Sequence, residues 1–589
     1  MKKVNTKINR IRERERESNS LLKSSLFYWV LLIIWSALTI WLLYYAFKNI
    51  VNLPFNIGQK DFFGNIIFES KARKVVAIIF IILNTIFISY FWLNGVKDVI
   101  YVIWYYIFKH HMFKKYTKVL NTKITQDDKV LLVYCCCDDI VEASLEKCFK
   151  QNYRNFDVVI LDDSRKEEEK IKVDNFAKKH NIKVVRRPNR EGFKAGNINN
   201  YLNSDECKQL KYDYFVILDS DEIIPKNFIE SSLKYFYTYD NVGVVQANHI
   251  STKNKNFFMN LFHIGVNSHW PVYQSMKHYF GFSTMLGHGA MIKAECFYKL
   301  DSGFPHLVAE DICISIELRS LGYYVAFAPE IICEEEYPVD YVAFKKRHSK
   351  WTQGNVEFIK KYTKKIFMSK MKWFEKLDIV LFTFNLPLTA LFSLYIIINI
   401  VAAPFIGLNL TKIYPVWFLI PTVLFFLAPT LNDIIYWIFR MNIFKFILYL
   451  FSTVVLYGSM LTISLLTSFL VLVGKKAKFV VTPKKTSKYK FFDIFRYQWK
   501  ELLFAVAISA ISYIFLKSVL PVILIVLTAI LPIFLIFFSN IKIKNYMQKD
   551  QKTAKISINK MNNVFKKTCN VDLNLLSEYE TQNFGQPVE

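Results

Sequence analysis

What most constrains this chain is where its apolar residues run unbroken. Leu26 to Phe47 and Val75 to Leu93 lie near the start, and Ile379 to Leu408, Val416 to Phe439, Phe444 to Val473, Leu502 to Leu516 and Val519 to Phe538 follow near the end. A helix of about 20 apolar residues fills the hydrocarbon core of a bilayer, and these runs are of that order. Between the two sets lies a long polar block. A sequence so divided predicts a membrane protein carrying a water-soluble insert, and the 53% hydrophobic and 17% aromatic content of the 589 residues agrees.

The formal net charge of +27 could suggest a nucleic-acid partner, but the lysines cluster beside the apolar runs, so the partner they imply is the lipid bilayer and no nucleic acid is expected. Cations outnumber acids in residues 1–25, which keeps that end cytoplasmic, puts residues 48–74 outside and returns the insert to the cytoplasm. A multi-pass plasma-membrane protein with a cytoplasmic polar domain is the resulting expectation. Leu26 to Phe47 is read as a retained anchor, since no small-residue cleavage site follows it. Asp98 to Phe113, aromatic but interrupted, is expected to lie at the interface. The nine cysteines form no CxxC and no zinc spacing with histidine, and are read as reduced thiols.

From Lys123 strand and helix patterns alternate. Lys129 to Tyr134, Phe156 to Leu161, Val184 to Arg187 and Tyr214 to Leu218 read as strands, and Val141 to Lys150 and Glu167 to His180 as helices. Such alternation predicts a mostly parallel sheet whose ligands bind beyond the carboxyl ends of its strands. Acid pairs stand at three of those ends: Asp138 and Asp139, Asp162 and Asp163, Asp219 and Asp221. Residues i and i+2 of a strand share a face, so Asp219 and Asp221 can reach one hard cation, Mg²⁺ or Mn²⁺, which would complete its shell with phosphate oxygens and water. A plain turn would also use such residues.

Three further stretches carry candidate chemistry. In RRPNREGFKAGNINNYL, residues 186–202, Gly192 and Gly196 permit close backbone approach and Lys194 offers a cation to phosphate; the alternative is a loop entering a helix capped by Asn197. In VAEDI, residues 308–312, Glu310 and Asp311 are either a general base at a helix start or acids complementing the helix dipole. In FKKRHSKW, residues 344–351, cations and Trp351 share an amphipathic stretch, as on a membrane-surface helix, although a flat ring among lysines also suits stacking.

Taken in order, DDS (162–164), FKAGNIN (193–199), DSD (219–221), GHGAMIK (287–293), AED (309–311) and KRHSKW (346–351) resemble the processive family 2 glycosyltransferases of the cellulose synthase type, over roughly residues 125–490. The resemblance implies a GT-A-type α/β fold, a Rossmann-like mixed sheet, inserted between transmembrane helices. It implies that Asp162, with Asp138 and Asp163, meets the uridine of a UDP-sugar donor, that Asp219 and Asp221 hold its diphosphate through the metal with Lys194, Arg347 and Lys350, and that Asp311, beside Glu310, is the base. Trp351, Gly287 and His288 would face the acceptor, and FVVTPK, with Phe479, Val481, Thr482 and Lys484, would be a gating loop. The sequence departs from the pattern at Arg347 for Gln, Lys350 for Arg and Ala309 for Thr, and Cys135 to Cys137 replace the usual opening motif. His288 and Trp351 also share flavours with synthases of periplasmic glucans.

The implied activity is polymerisation of UDP-glucose into a β-1,4-glucan extruded through the enzyme's own channel. Another β-polymer, such as poly-N-acetylglucosamine or a mannan, is the alternative, and a non-enzymatic scaffold or transporter the third; accessory synthesis or export proteins are potential partners beside the growing polysaccharide. The expected division is 1–119, basic tail, two spans and interface segment; 120–370, cytoplasmic catalytic domain with its C-terminal interface helix; 371–540, membrane bundle; and 541–589, a basic cytoplasmic tail too short for a cyclic di-GMP-binding barrel. Five crossings in 371–540 would put the lysine-rich 474–500 outside, so 444–473 is expected at the cytoplasmic interface, giving six crossings in all.

Overall fold

The computed structural model describes residues 19–61, 64–251, 256–301, 303–474 and 489–541. The gating-loop candidates Phe479, Val481, Thr482 and Lys484, Cys569 and the basic tail lie outside the described residues. Eight cysteines within them are free thiols.

At the centre is a seven-stranded sheet in the order β3-β2-β1-β4-β6-β5-β7. Its strands are β1 Val130–Cys136, β2 Phe156–Asp162, β3 Lys183–Val185, β4 Tyr214–Leu218, β5 Val242–Ser251, β6 Ala290–Lys293 and β7 Tyr324–Glu335. β1 pairs in parallel with both β2 and β4, and β5 with β7, whereas β6 runs antiparallel between β4 and β5. β1 and β4 are buried along their whole length, as strands covered on both faces must be. Two apolar clusters, one on each face, sandwich the sheet. The chain moves from β1 outward to β2 and β3, then crosses back to β4 on the other side of β1. That reversal opens a crevice at the carboxyl ends of β1 and β4, where a ligand has room to bind.

The helix Leu26–Val51 is followed by one unbroken helix, Lys71–Leu120. At 1.5 Å per residue those 50 residues reach about 75 Å, far more than one span requires. The separate surface segment expected over Asp98–Phe113 is therefore the continuation of the second span. Its charges do not break it because they are satisfied in place: Lys97 Nζ lies 3.2 Å from Asp98 Oδ1, donates to the Leu381 carbonyl at 3.2 Å and sits over the Phe382 ring. Asn197, expected to cap a helix, lies inside Phe193–Leu202, whose cap is Gly192 at φ +76°.

Among the described residues, seven helices are long and apolar enough to cross a membrane: Leu26–Val51, Lys71–Leu120, Pro387–Ile406, Ile420–Trp437, Ile443–Leu472, Phe491–Leu516 and Leu520–Phe538. The chain bends where breakers were read, at Asn385 and in the 3-10 turn Ala428–Thr430 that contains Pro429. Ile443–Leu472 differs from the rest. The protein buries 61% of its most apolar window, against 22–39% for the other six. It packs along the helix Tyr341–Met368, where Ser464 Oγ lies 2.9 Å from His348 Nε2 and 3.2 Å from Thr352 Oγ1. Polar groups inside a hydrocarbon layer face protein, and here the protein is the helix that borders the catalytic domain. Single cysteines placed on either side of Tyr457 are expected to react with a membrane-impermeant thiol reagent from the same side of the membrane; labelling from opposite sides would make this helix a seventh crossing.

Candidate active site

Asp219 and Asp221 follow β4 in a turn, so strand alternation does not orient them, yet both are partly exposed while Ser220 and Glu222 between and after them are buried. The Asp219 side chain is 40% exposed and pairs through Oδ1 with Lys194 Nζ. Lys194 also donates to the Gly287 carbonyl at 2.8 Å. Burial would raise the Asp219 pKa, but the Lys194 ammonium outweighs it and holds the carboxyl below its ordinary range. The same pairing raises Lys194.

Gly287 leads to the acid pair: a Cβ there would stand 3.8 Å from Asp311 Oδ2. Glu310 and Asp311 open the helix Glu310–Ser320. Burial raises both, and the negative charge of Asp311 raises Glu310 further, while Lys194 draws each the other way. Above them passes Tyr341–Met368, whose Gly354 lies against Val308 and Ala309. On this helix Lys350 feels the charges of Asp219, Glu310 and Lys194, and burial with nearby Arg347 lowers its pKa. Trp351 is 43% exposed, with the Arg347 guanidinium 4.3 Å from its ring centre. Asp219, Lys194, Gly287, Asp311 and Lys350, from five separate stretches of sequence, thus surround one crevice.

The other candidates meet partners within the chain. Asp162 was expected to meet the donor base, but its side chain is fully buried and its oxygens accept from Arg186 Nε at 2.7 Å and the Ser164 amide at 2.8 Å. Asp163 is clasped by Arg187 through Nε at 2.9 Å and Nη2 at 2.7 Å. These pairs tie the loop before Phe193 to the end of β2. Asp138, at φ +60°, accepts from the Arg165 and Lys166 amides and fixes the chain after β2. Gly192 and Gly196 admit close approach, but of the chain itself: a Cβ would meet the His306 ring at 2.6 Å or the Glu191 carbonyl at 1.9 Å. His288 was expected at the acceptor; its imidazole turns inward, 3.3 Å from Glu222 on one side and 3.3 Å from Glu335 on the other.

The sequence alone did not single out Glu222, His249, Gln246, Arg186 or Arg187. Gln246 accepts from the Leu286 amide at 2.7 Å and donates to the His288 carbonyl at 2.9 Å, so it fixes the loop that carries Gly287. A glutamine directly after the apolar run 242–245 was the available signal. Asp219 and Asp221, two hard carboxylates at a crevice edge, fit a hard divalent cation by donor type.

Residues 214–539 match the family described as Glycosyl transferase family group 2. That is more than half of the chain, and the protein belongs to this family. It is a family 2 glycosyltransferase with a GT-A-like mixed sheet and long apolar helices. A probable glucomannan 4-beta-mannosyltransferase of Arabidopsis thaliana is 24% identical over 209 residues, 35% of this chain and 38% of that protein, so the chain spans well under half of that relative's length. Among solved structures, the mannosyltransferase PcManGT from Pyrobaculum calidifontis in complex with GDP-Man and Mn²⁺ aligns with TM-score 0.42 and 16% identity over 66% of this chain and 99% of that one. S. aureus TarS aligns with TM-score 0.30 and 15% identity over 52% and 53%.

Arg187→Ala would leave Asp163 buried without its partner, a change that costs about 3–5 kcal/mol. Its thermal midpoint in detergent is expected to fall clearly below wild type, whereas Lys179→Ala, which removes an exposed pair with Glu146, should leave the midpoint in place.

Proposed function

We propose that this chain is an inverting, processive glycosyltransferase that takes a hexose from a nucleotide-diphosphate donor, adds it to a β-linked polysaccharide and passes the product into its own membrane bundle. The observation that carries this is the convergence of Asp219, Lys194, Gly287, Asp311 and Lys350 under the helix that also packs against the membrane helices.

Donor cleavage needs balanced charge on the departing diphosphate. Lys194 and Lys350 bring two ammonium groups to that side, and a divalent cation on Asp219 and Asp221 would supply Lewis-acid neutralisation there. Asp311, close to Gly287, accepts the proton of the acceptor hydroxyl as that oxygen attacks the anomeric carbon and the carbon–diphosphate bond breaks. Attack from the face opposite the leaving group converts an α-linked donor into a β-linked product. Trp351, with the Arg347 guanidinium over one face of its ring, supplies its other flat face to the acceptor sugar.

Two donors are supported by separate observations. The FVVTPK stretch resembles cellulose synthases and favours UDP-glucose, while the Arabidopsis relative is named for mannosyl transfer and favours a mannosyl donor. The product is accordingly a β-1,4-glucan or a β-1,4-mannan.

The test is nucleotide release and polymer formation by purified protein in lipid, with Mg²⁺ or Mn²⁺ and a panel of UDP- and GDP-hexoses, followed by digestion with β-1,4-glucanase and β-mannanase. Turnover with none of these donors would refute the proposal. General-base help is worth about 10² to 10⁴ in rate, so Asp311→Asn should lose that much while still binding nucleotide. Asp311 must be ionised to act and burial raises its pKa, so activity should fall as pH drops through a value above the ordinary 3.8 of an aspartate. With Asp311 as the base, Glu310→Gln should keep that acid limb; if Glu310→Gln abolishes the limb and Asp311→Asn does not, Glu310 is the base.

A further inference from the structure

Behind the crevice, three side chains from distant stretches point at one another: Glu222 after β4, His249 on β5 and His288 in the loop before β6. Glu222 Oε1 lies 3.2 Å from His249 Nε2 and 3.3 Å from His288 Nδ1, and the three atoms fall within 4.8 Å of one another. We propose that Glu222, His249 and His288 form a binding site for a zinc-class divalent ion, distinct from the carboxylate pair Asp219 and Asp221.

Five features of the surroundings support this. A tetrahedral shell with bonds of 2.0–2.2 Å sets neighbouring ligand atoms about 3.3–3.5 Å apart, close to the spacing around Glu222 Oε1. Although it is this near the carboxylate, His288 Nδ1 is buried and makes no hydrogen bond. A nitrogen aimed at an oxygen but off the hydrogen-bond direction is placed as a ligand to a common point would be.

The outer partners of His288 and Glu222 fit the same reading. His288 Nε2 faces Glu335 Oε2 at 3.3 Å, and a carboxylate on the far nitrogen is the usual orienting partner of a metal-bound histidine. Glu222 Oε2 accepts from the Gly289 amide at 2.9 Å, which leaves Oε1 to the imidazoles. Gly289, at φ +57°, closes the cradle: a Cβ there would come within 2.4 Å of Glu222 Oε1 and 2.5 Å of His249 Nε2.

Charge and donor type select the ion. With both imidazoles neutral, the buried carboxylates of Glu222 and Glu335 carry two negative charges, which one divalent cation balances. Two nitrogens and one oxygen favour Zn²⁺ or a similar first-row ion over Mg²⁺. The ion would pin β4, β5 and the 286–289 loop to each other, and so hold Asp219 and Gly287 in register. This inference does not depend on the identity of the sugar donor.

The experiment is metal analysis of the full chain, purified in detergent, stripped with chelator and reloaded separately with Zn²⁺, Mn²⁺ and Co²⁺. The expected result is one tightly held zinc-class ion per chain in wild type and in Asp221→Asn. Glu335→Gln should hold it about 10- to 100-fold more weakly. His288→Asn should hold it at least as weakly as that. Because the variants could misfold, the wild-type Co²⁺ form provides a second readout: visible absorption of a four-coordinate nitrogen and oxygen site is expected. Failure of wild type to retain any of the three ions, retention undiminished in His288→Asn, loss in Asp221→Asn, or a Co²⁺ form without that absorption would each overturn the site.

Discussion

The ammonium of Lys194 is the interaction on which the crevice depends. It stands between the Asp219 carboxylate and the Gly287 carbonyl, and through Gly287 it lies close to Asp311. Three backbone segments with no sequence proximity are thereby joined by one cation. Its field favours the ionised form of both Asp219 and Asp311; the two carboxyl groups differ because burial prevails at Asp311 and does not at Asp219.

The helix Tyr341–Met368 links this chemistry to the membrane. One face brings Lys350 and Trp351 over the crevice, and another packs on Ile443–Leu472, through His348 and Thr352 to Ser464. Lys345 continues the link to the C-terminal bundle, donating to the Tyr497 carbonyl at 2.6 Å and pairing with Glu501 at 2.6 Å. The start of the chain is fastened as well. Lys23 is buried and donates to the Lys277 and Gly281 carbonyls at 3.0 and 2.8 Å, so the first membrane helix enters directly beneath the catalytic domain.

Much of this was legible in the sequence because local rules govern it. The bounds of β4 and of the helix Glu167–His180 follow from apolar runs and turn residues, and the pair Asp219 and Asp221 at the end of β4 stands where the sequence pattern put it, at the edge of the crevice. What was not legible is what depends on contacts between distant residues. Asp162 looks the same in sequence whether it faces a nucleotide or Arg186, and His288 whether it faces a sugar or Glu222. The interruption read at Asp98 vanished because Lys97 and the Leu381 carbonyl, 284 positions further on, satisfy the charge within a continuous helix. Glu222 and Gln246 gave only the weak signal of polarity among apolar neighbours, which no periodicity converts into a partner.

The central claim is that donor diphosphate and acceptor meet between Asp219 and Asp311. A density map of the protein in lipid, with the diphosphate nucleotide of its working donor and the supporting cation, addresses this most directly. The account predicts the diphosphate between Asp219, Lys194 and Lys350, with a sugar of the nascent chain against Trp351 and within reach of Asp311. Nucleotide bound elsewhere, or an acceptor remote from Asp311, would contradict it.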